Sequence, residues 1–117
     1  MILVVDDSPM NIDVLIEAIG DLDDVAVALD GEEALSIVND ERPLAVLLDI
    51  VMPGIDGFEV CRRMKADPAL AEIPVIFLSG NDSEEDREQG RAAGGTDYLV
   101  KPLSPEAVVA AVKPYIS

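Results

Sequence analysis

Pro43-Leu44-Ala45-Val46-Leu47-Leu48-Asp49, followed shortly by Met52-Pro53-Gly54-Ile55-Asp56-Gly57, decides the fold. Five apolar residues in succession, opened by a proline and stopped by an acid, predict a strand from Leu44 to Leu48 buried on both faces. Two glycines and a proline within six residues then turn the chain into a loop. Phe58, Cys61 and Met64 follow at helical spacing, in a segment that runs to about Ala66. The result is one strand-loop-helix unit with a carboxylate, Asp49, at the strand's carboxyl end.

The same unit recurs on both sides. Upstream, Ile2-Leu3-Val4-Val5 runs into Asp6-Asp7, and Ser8-Pro9 opens a helix that Gly20 closes, with Ser8 as N-cap and Pro9 at the first helical position. Val25 to Ala28 is a second strand, and Asp30 with Glu33 forms a capping-box pattern for a helix through about Val38. Downstream, Pro74 introduces Val75-Ile76-Phe77-Leu78, which ends at Ser79-Gly80. Ser83 caps a helix reaching about Ala93, and Gly94-Gly95 stops it. Tyr98-Leu99-Val100 is a short fifth strand before Lys101-Pro102. Ser104-Pro105 opens the last helix, which Pro114 should end or kink near Lys113. Five such units predict an α/β fold: a parallel sheet, right-handed crossovers and helices on both faces.

Composition narrows the chemistry. The chain has 117 residues, 24 acids against 8 Lys plus Arg, no His, and a formal charge of −16, with half of its residues apolar. That length suits one domain with a respectable core, and the apolar half argues against a disordered acidic tail. The charge opposes direct nucleic-acid binding and docking on anionic membrane. Without His, and with Cys61 alone, a zinc site of the usual ligands and nucleophilic catalysis through an imidazole base are both excluded. Cys61 reads as a buried small hydrophobe. No apolar run approaches the roughly 20 residues that span a bilayer, and no signal peptide is visible. These features point to a cytoplasmic domain in a reducing compartment.

Ligands in an open parallel sheet bind at the carboxyl ends of the strands. Those ends carry Asp6 and Asp7, Asp49, Ser79, and Lys101. Three carboxylates brought together repel, and a hard divalent cation such as Mg²⁺ relieves this; Mn²⁺ would substitute. Lys101 and Ser79 suit phosphoryl oxygens, and Asp49 is the natural acceptor, since a carboxylate can form an aspartyl phosphate. Each residue alone has a plainer reading: Asp6 and Asp7 as helix caps, Ser79-Gly80 as a turn, Lys101 as a surface charge. Only their coincidence at one edge points to phosphoryl transfer.

Val5-Asp6-Asp7, Leu48-Asp49-Ile50-Val51-Met52-Pro53, Asp56-Gly57, Ser79 and Tyr98-Leu99-Val100-Lys101-Pro102 together resemble the receiver domain of bacterial two-component response regulators, over essentially the whole chain. The resemblance implies a flavodoxin-like sheet of order 2-1-3-4-5. It implies that Asp49 takes a phosphoryl group from a phosphohistidine on a sensor histidine kinase or histidine phosphotransfer protein. Asp7 is then the nearer Mg²⁺ ligand, Asp6 acts mainly through water, and the Val51 backbone carbonyl is a further ligand. Lys101-Pro102 would be a cis peptide. Phosphorylation would draw Ser79 inward and let Tyr98 rotate, reshaping the surface of helix four, strand five and helix five. That surface would control an output domain or partner protein, or form a homodimer.

Departures from the family pattern also matter. Val51, two after the acceptor, has no polar group to orient an attacking water, whereas Asn81, two after Ser79, offers an amide; slow to intermediate self-dephosphorylation is expected. The acidic first helix region, with Asp13, Glu17, Asp21, Asp23 and Asp24, reads either as a solvated face or as a charge-selective kinase contact. Residues 1–117 are expected to be a single receiver domain without an output domain, acting alone or as a piece of a longer regulator. The segment from Asp67 to Ser79 is similar to receivers attached to signalling enzymes such as cyclic-dinucleotide synthases or hybrid kinases. The alternatives are a pseudo-receiver that serves as an interaction module and a small aspartyl-phosphate hydrolase. The hydrolase's Asp-x-Asp pattern is missing, as is any Walker-type loop. The chain is therefore expected not to be a turnover enzyme on an external substrate.

Overall fold

The computed structural model describes residues 1–116. Five strands, β1 (Ile2–Val5), β2 (Val25–Ala28), β3 (Ala45–Asp49), β4 (Val75–Ser79) and β5 (Asp97–Val100), alternate with five helices: α1 (Pro9–Ile19), α2 (Gly31–Glu41), α3 (Gly57–Ala66), α4 (Glu84–Ala92) and α5 (Pro105–Ile116). All strand pairs are parallel, in the expected order β2-β1-β3-β4-β5.

The unbroken apolar runs divide between two cores because successive side chains of a strand point to opposite faces. Leu3, Val5, Val46, Leu48, Val75 and Phe77 face one layer, where α2 and α3 add Ala34, Val38, Phe58, Cys61 and Met64. Ile2, Val4, Leu47, Ile76 and Leu78 face the other, against Leu15 and Ile19 of α1 and Val108 and Val112 of α5. Every residue of β1, β3 and β4 is buried, whereas the edge strands β2 and β5 are largely half-buried. Among the described residues no helix is long and apolar enough to cross a membrane.

The helix starts follow their caps. Ser8 Oγ accepts from the Asn11 amide, Asp30 from the Glu33 amide at 2.8 Å, and Ser83 from the Asp86 amide at 3.1 Å. Glu33 reaches back to the amide of Leu29 at 2.7 Å, one residue before the usual capping-box partner.

Two helix ends differ from the sequence expectation. Helix α2 continues past Val38 to Glu41 and stops where Arg42 takes a left-handed conformation, φ 47°; its last turn is polar and leaves no apolar periodicity to read. Helix α5 continues through Pro114 to Ile116. A proline costs a helix the amide that would serve the carbonyl four residues earlier. Here that carbonyl belongs to exposed Ala110, only two residues of the described helix follow Pro114, and Tyr115 and Ile116 pack on the core.

Candidate metal and phosphoryl site

Strand register assembles the site. Val5 lies beside Leu48 in the β1–β3 ladder, so the residues that follow them, Asp6 and Asp49, emerge side by side. Asp49 lies beside Leu78 and Ser79 beside Val100, which places the Ser79 hydroxyl and Lys101 next along the same rim. A one-residue slip in any of these parallel pairs would turn the acids into opposite faces.

The result is a cluster in which carboxylate oxygens of Asp6, Asp7 and Asp49 all lie within 4.8 Å of one another. Asp6 and Asp49 are buried, 0% and 5% exposed, whereas Asp7 faces solvent. Lys101 Nζ stands 3.3 Å from Asp6 Oδ2 and 3.3 Å from Asp49 Oδ1, one ammonium between two acids. The Lys101-Pro102 peptide is cis.

Asp6 Oδ1 accepts the Ser8 amide at 2.9 Å, so the helix-start reading of the acidic pair holds for this one oxygen. Its other oxygen, Oδ2, is buried with no hydrogen bond; the Lys101 contact is an ion pair without hydrogen-bond geometry. Asp49 Oδ1 accepts the Val51 amide at 3.3 Å. Burial above all, and then the Asp6 charge, push the Asp49 carboxyl above its ordinary value against the pull of Lys101.

This donor set fits a hard divalent cation. It offers three clustered carboxylates, one solvent-facing and one with a buried, unsatisfied oxygen, and the excess negative charge has a single ammonium to offset it.

The loop after Asp49 is held shut by the Gly57 amide, which donates to the Ile50 carbonyl at 2.8 Å. A Cβ at Gly57 would lie 2.4 Å from the Asp49 carbonyl oxygen, so glycine is required here for space, as α3 starts against the backbone of Asp49. Asp56 caps α3 by accepting the Glu59 amide at 2.9 Å. The Asp56-x-x-Glu59 spacing repeats that of Asp30 and Glu33, a signal for this helix start that the sequence reading passed over. The Val51 side chain is 80% exposed.

On the other side, Ser79 Oγ donates to the Asn81 carbonyl at 3.1 Å and accepts the Asn81 amide at 3.0 Å. The Tyr98 hydroxyl donates to that same carbonyl at 2.7 Å. Asn81 thus contributes through its backbone, and Tyr98 is half-buried with its hydroxyl engaged. Two residues invisible to the sequence reading complete this side: Arg87 pairs with Asp82 and lies over the Tyr98 ring. Nothing in their spacing marks them.

Away from the site, Cys61 is buried, its thiol donates to the Ala93 carbonyl at 3.3 Å, and burial pushes its pKa up to about 11.

A family model described as the response regulator receiver domain matches residues 2–113. The response regulator PleD of Caulobacter vibrioides is 40% identical over 113 residues, which are 96% of this chain and 25% of PleD. The chain therefore spans about a quarter of that relative's length. Protein PilG of Pseudomonas aeruginosa is 36% identical over 118 residues, covering 98% of this chain and 86% of PilG. Among solved structures, the receiver domain of sensor histidine kinase PA1611 from Pseudomonas aeruginosa PAO1 has a magnesium ion coordinated in its active site cleft. It superposes with a TM-score of 0.89 at 31% identity, over 98% of this chain and 95% of that one.

Proposed function

The chain belongs to the response regulator receiver domain family, and on that premise we propose that it is a phosphorylation switch whose acceptor is Asp49. One observation carries this reading: Asp6, Asp7 and Asp49 converge within 4.8 Å while Lys101 Nζ stands 3.3 Å from the acceptor.

An Asp49 carboxylate oxygen attacks the phosphorus of a phosphohistidine. The new P–O bond forms as the P–N bond breaks, and the imidazole nitrogen leaves with the electron pair. Asp6, Asp7, Asp49 and the Val51 carbonyl would hold Mg²⁺, or Mn²⁺ in its place. When bound, the cation supplies charge neutralisation for the acids and the incoming phosphoryl oxygens. Lys101 moves from its shared position to a phosphoryl oxygen, which a flexible ammonium accomplishes without backbone change. Ser79 turns its hydroxyl from the Asn81 carbonyl to a second oxygen. That exchange alters the β4–α4 loop, and Tyr98, its hydroxyl still on the Asn81 carbonyl, carries the loop's shift to the α4–β5–α5 surface, a population shift driven by one local charge.

The donor is a sensor histidine kinase or histidine phosphotransfer protein in the cytoplasm. The reader of the changed surface is an output domain, a partner protein or a second copy. The chain supports its own transfer and slow dephosphorylation and turns over no external substrate.

Acetyl phosphate with Mg²⁺ tests the reading. One phosphoryl group should appear by intact mass, and both EDTA and Asp49→Asn should abolish it. A wild-type protein that stays unmodified while a known receiver is labelled under the same conditions would refute it and leave an interaction module.

A further inference from the structure

Helix α4 is weakly anchored. Of its nine residues only Gly90 is buried, against the ring of Phe77. What ties it to its surroundings is Arg87. The Arg87 guanidinium donates through Nε to Asp82 Oδ1 at 2.7 Å, and its Nη2 lies 2.5 Å from the same oxygen. Its central carbon sits 4.8 Å from the centroid of the Tyr98 ring, within the range where a cation is attracted to the ring face. The ring's far end returns to the loop through the hydroxyl on the Asn81 carbonyl. Loop, helix and strand therefore form a closed circuit, Asn81-Asp82-Arg87-Tyr98 and back to Asn81.

A cleft of about 170 Å³ opens beside this circuit, lined in part by Gly90 and Gly95. Neither glycine offers a side chain to fence the ring, and among the cleft's other lining residues, which include Phe77 and Arg91, the Arg87 guanidinium is the cation placed over the ring face.

We propose that Arg87 is a positioning residue that keeps the Tyr98 hydroxyl on the Asn81 carbonyl and thereby frees Ser79 to turn toward the acceptor. This rests on the reading of Asp49 as phosphoacceptor. The Asn81 carbonyl takes two donors, Ser79 and Tyr98. When Ser79 leaves for a phosphoryl oxygen, the carbonyl keeps a partner only if Tyr98 stays in place. With Tyr98 unbraced, the Ser79 hydroxyl is the carbonyl's remaining side-chain donor, and its release carries a penalty that phosphoryl transfer must overcome.

The protein contains two tyrosines and no tryptophan, so Tyr115→Phe leaves Tyr98 as the sole reporter. In that background, acrylamide quenching of Tyr98 emission is measured without any phosphoryl donor, and the initial phosphorylation rate is measured with acetyl phosphate and Mg²⁺. Arg87→Met should raise the quenching constant about twofold and lower the rate by roughly two- to fivefold, the size of a cation–π contact. Arg87→Lys, which keeps the charge, should restore most of both. In a Tyr98→Phe chain, where the hydroxyl is already gone, Arg87→Met should leave the rate unchanged.

Unaltered quenching in Arg87→Met would overturn the proposal. So would a rate loss of the same size in the Tyr98→Phe chain, which marks a purely structural effect. If the wild type takes no phosphoryl group, the acceptor reading fails, and the quenching arm alone still decides whether Arg87 holds Tyr98.

Discussion

Removing one charge from the acidic cluster should make the metal-free protein more stable, although the residue changed is the proposed acceptor. In Asp49→Asn the shape is kept and the carboxylate becomes an amide. At an effective dielectric of 20, Asp6 within 4.8 Å repels the Asp49 charge by at least about 3.5 kcal/mol, and Lys101 at 3.3 Å attracts it by about 5 kcal/mol. Exposed Asp7 adds about 1 kcal/mol of repulsion in a water-like dielectric. The neighbouring charges nearly offset one another, so the desolvation of a carboxylate that is 5% exposed is left over.

The amide also brings a donor to the side of Asp6 Oδ2, the buried oxygen without a hydrogen bond, a gain of about 1 kcal/mol. A net stabilisation of about 2 kcal/mol at pH 7 corresponds to a melting temperature about 8 °C higher for a chain of this length. Circular dichroism melts in EDTA measure it.

The pH dependence gives the sign independently. The folded carboxyl holds its proton more tightly than the unfolded one, so the wild type gains stability as pH falls through the raised value toward 3.8, and the variant does not. The gap therefore closes on acidification. Mg²⁺ at a hundredfold excess over its dissociation constant adds about 2.7 kcal/mol to the wild type, and much less to a variant lacking one ligand. A variant that melts at or below the wild type in EDTA at pH 7, or a gap that widens in acid, would refute this account of the cluster.

Three other outcomes follow from the same geometry. Val51→Asn should shorten the phosphoryl lifetime by on the order of tenfold, by placing an amide where it can orient a water; a wild-type half-life of seconds that the substitution leaves unchanged would contradict this. Gly57→Ala sets a Cβ 2.4 Å from the Asp49 carbonyl oxygen and 2.9 Å from Ile50 Cα. It should lower stability by about 2–3 kcal/mol in urea titration and slow phosphorylation, and wild-type behaviour would show that the loop yields freely. Cys61, buried and with its thiol pushed up to about 11, should resist a disulfide reagent at pH 8 in the folded protein and react at once in urea; prompt labelling of the native protein would refute its placement.

The strands and the rim acids were legible because each strand is an apolar run closed by a polar residue, and parallel topology sends all such closures to one edge. Caps were legible where a short side chain and a spacing coincide, as at Ser8, Asp30 and Ser83. Asp56 had the same spacing and was hidden by its place in a glycine-rich loop. Contacts between surface residues distant in sequence were not legible. Arg87 meets Tyr98 only because α4 lies across β5, and the polar sequence of α4 carries no pattern that fixes its rotation. The course of α5 past Pro114 escaped for a related reason: the cost of a proline depends on whether the deprived carbonyl is exposed and how much helix remains, and local sequence states neither.

Because all five strands run the same way, the sheet has two unlike margins. One bears the acids. The other receives Met1, whose carbonyl accepts the Leu44 amide, and the returning end of α5, where Tyr115 and Ile116 pack. Strands of four or five residues separate these margins by about 13–17 Å. A dye or tether attached near residue 1 or 116 would therefore sit on the quiet side of the molecule, leaving the acidic mouth unobstructed. The same placement leaves the acidic rim of a surface-immobilised sample facing solution.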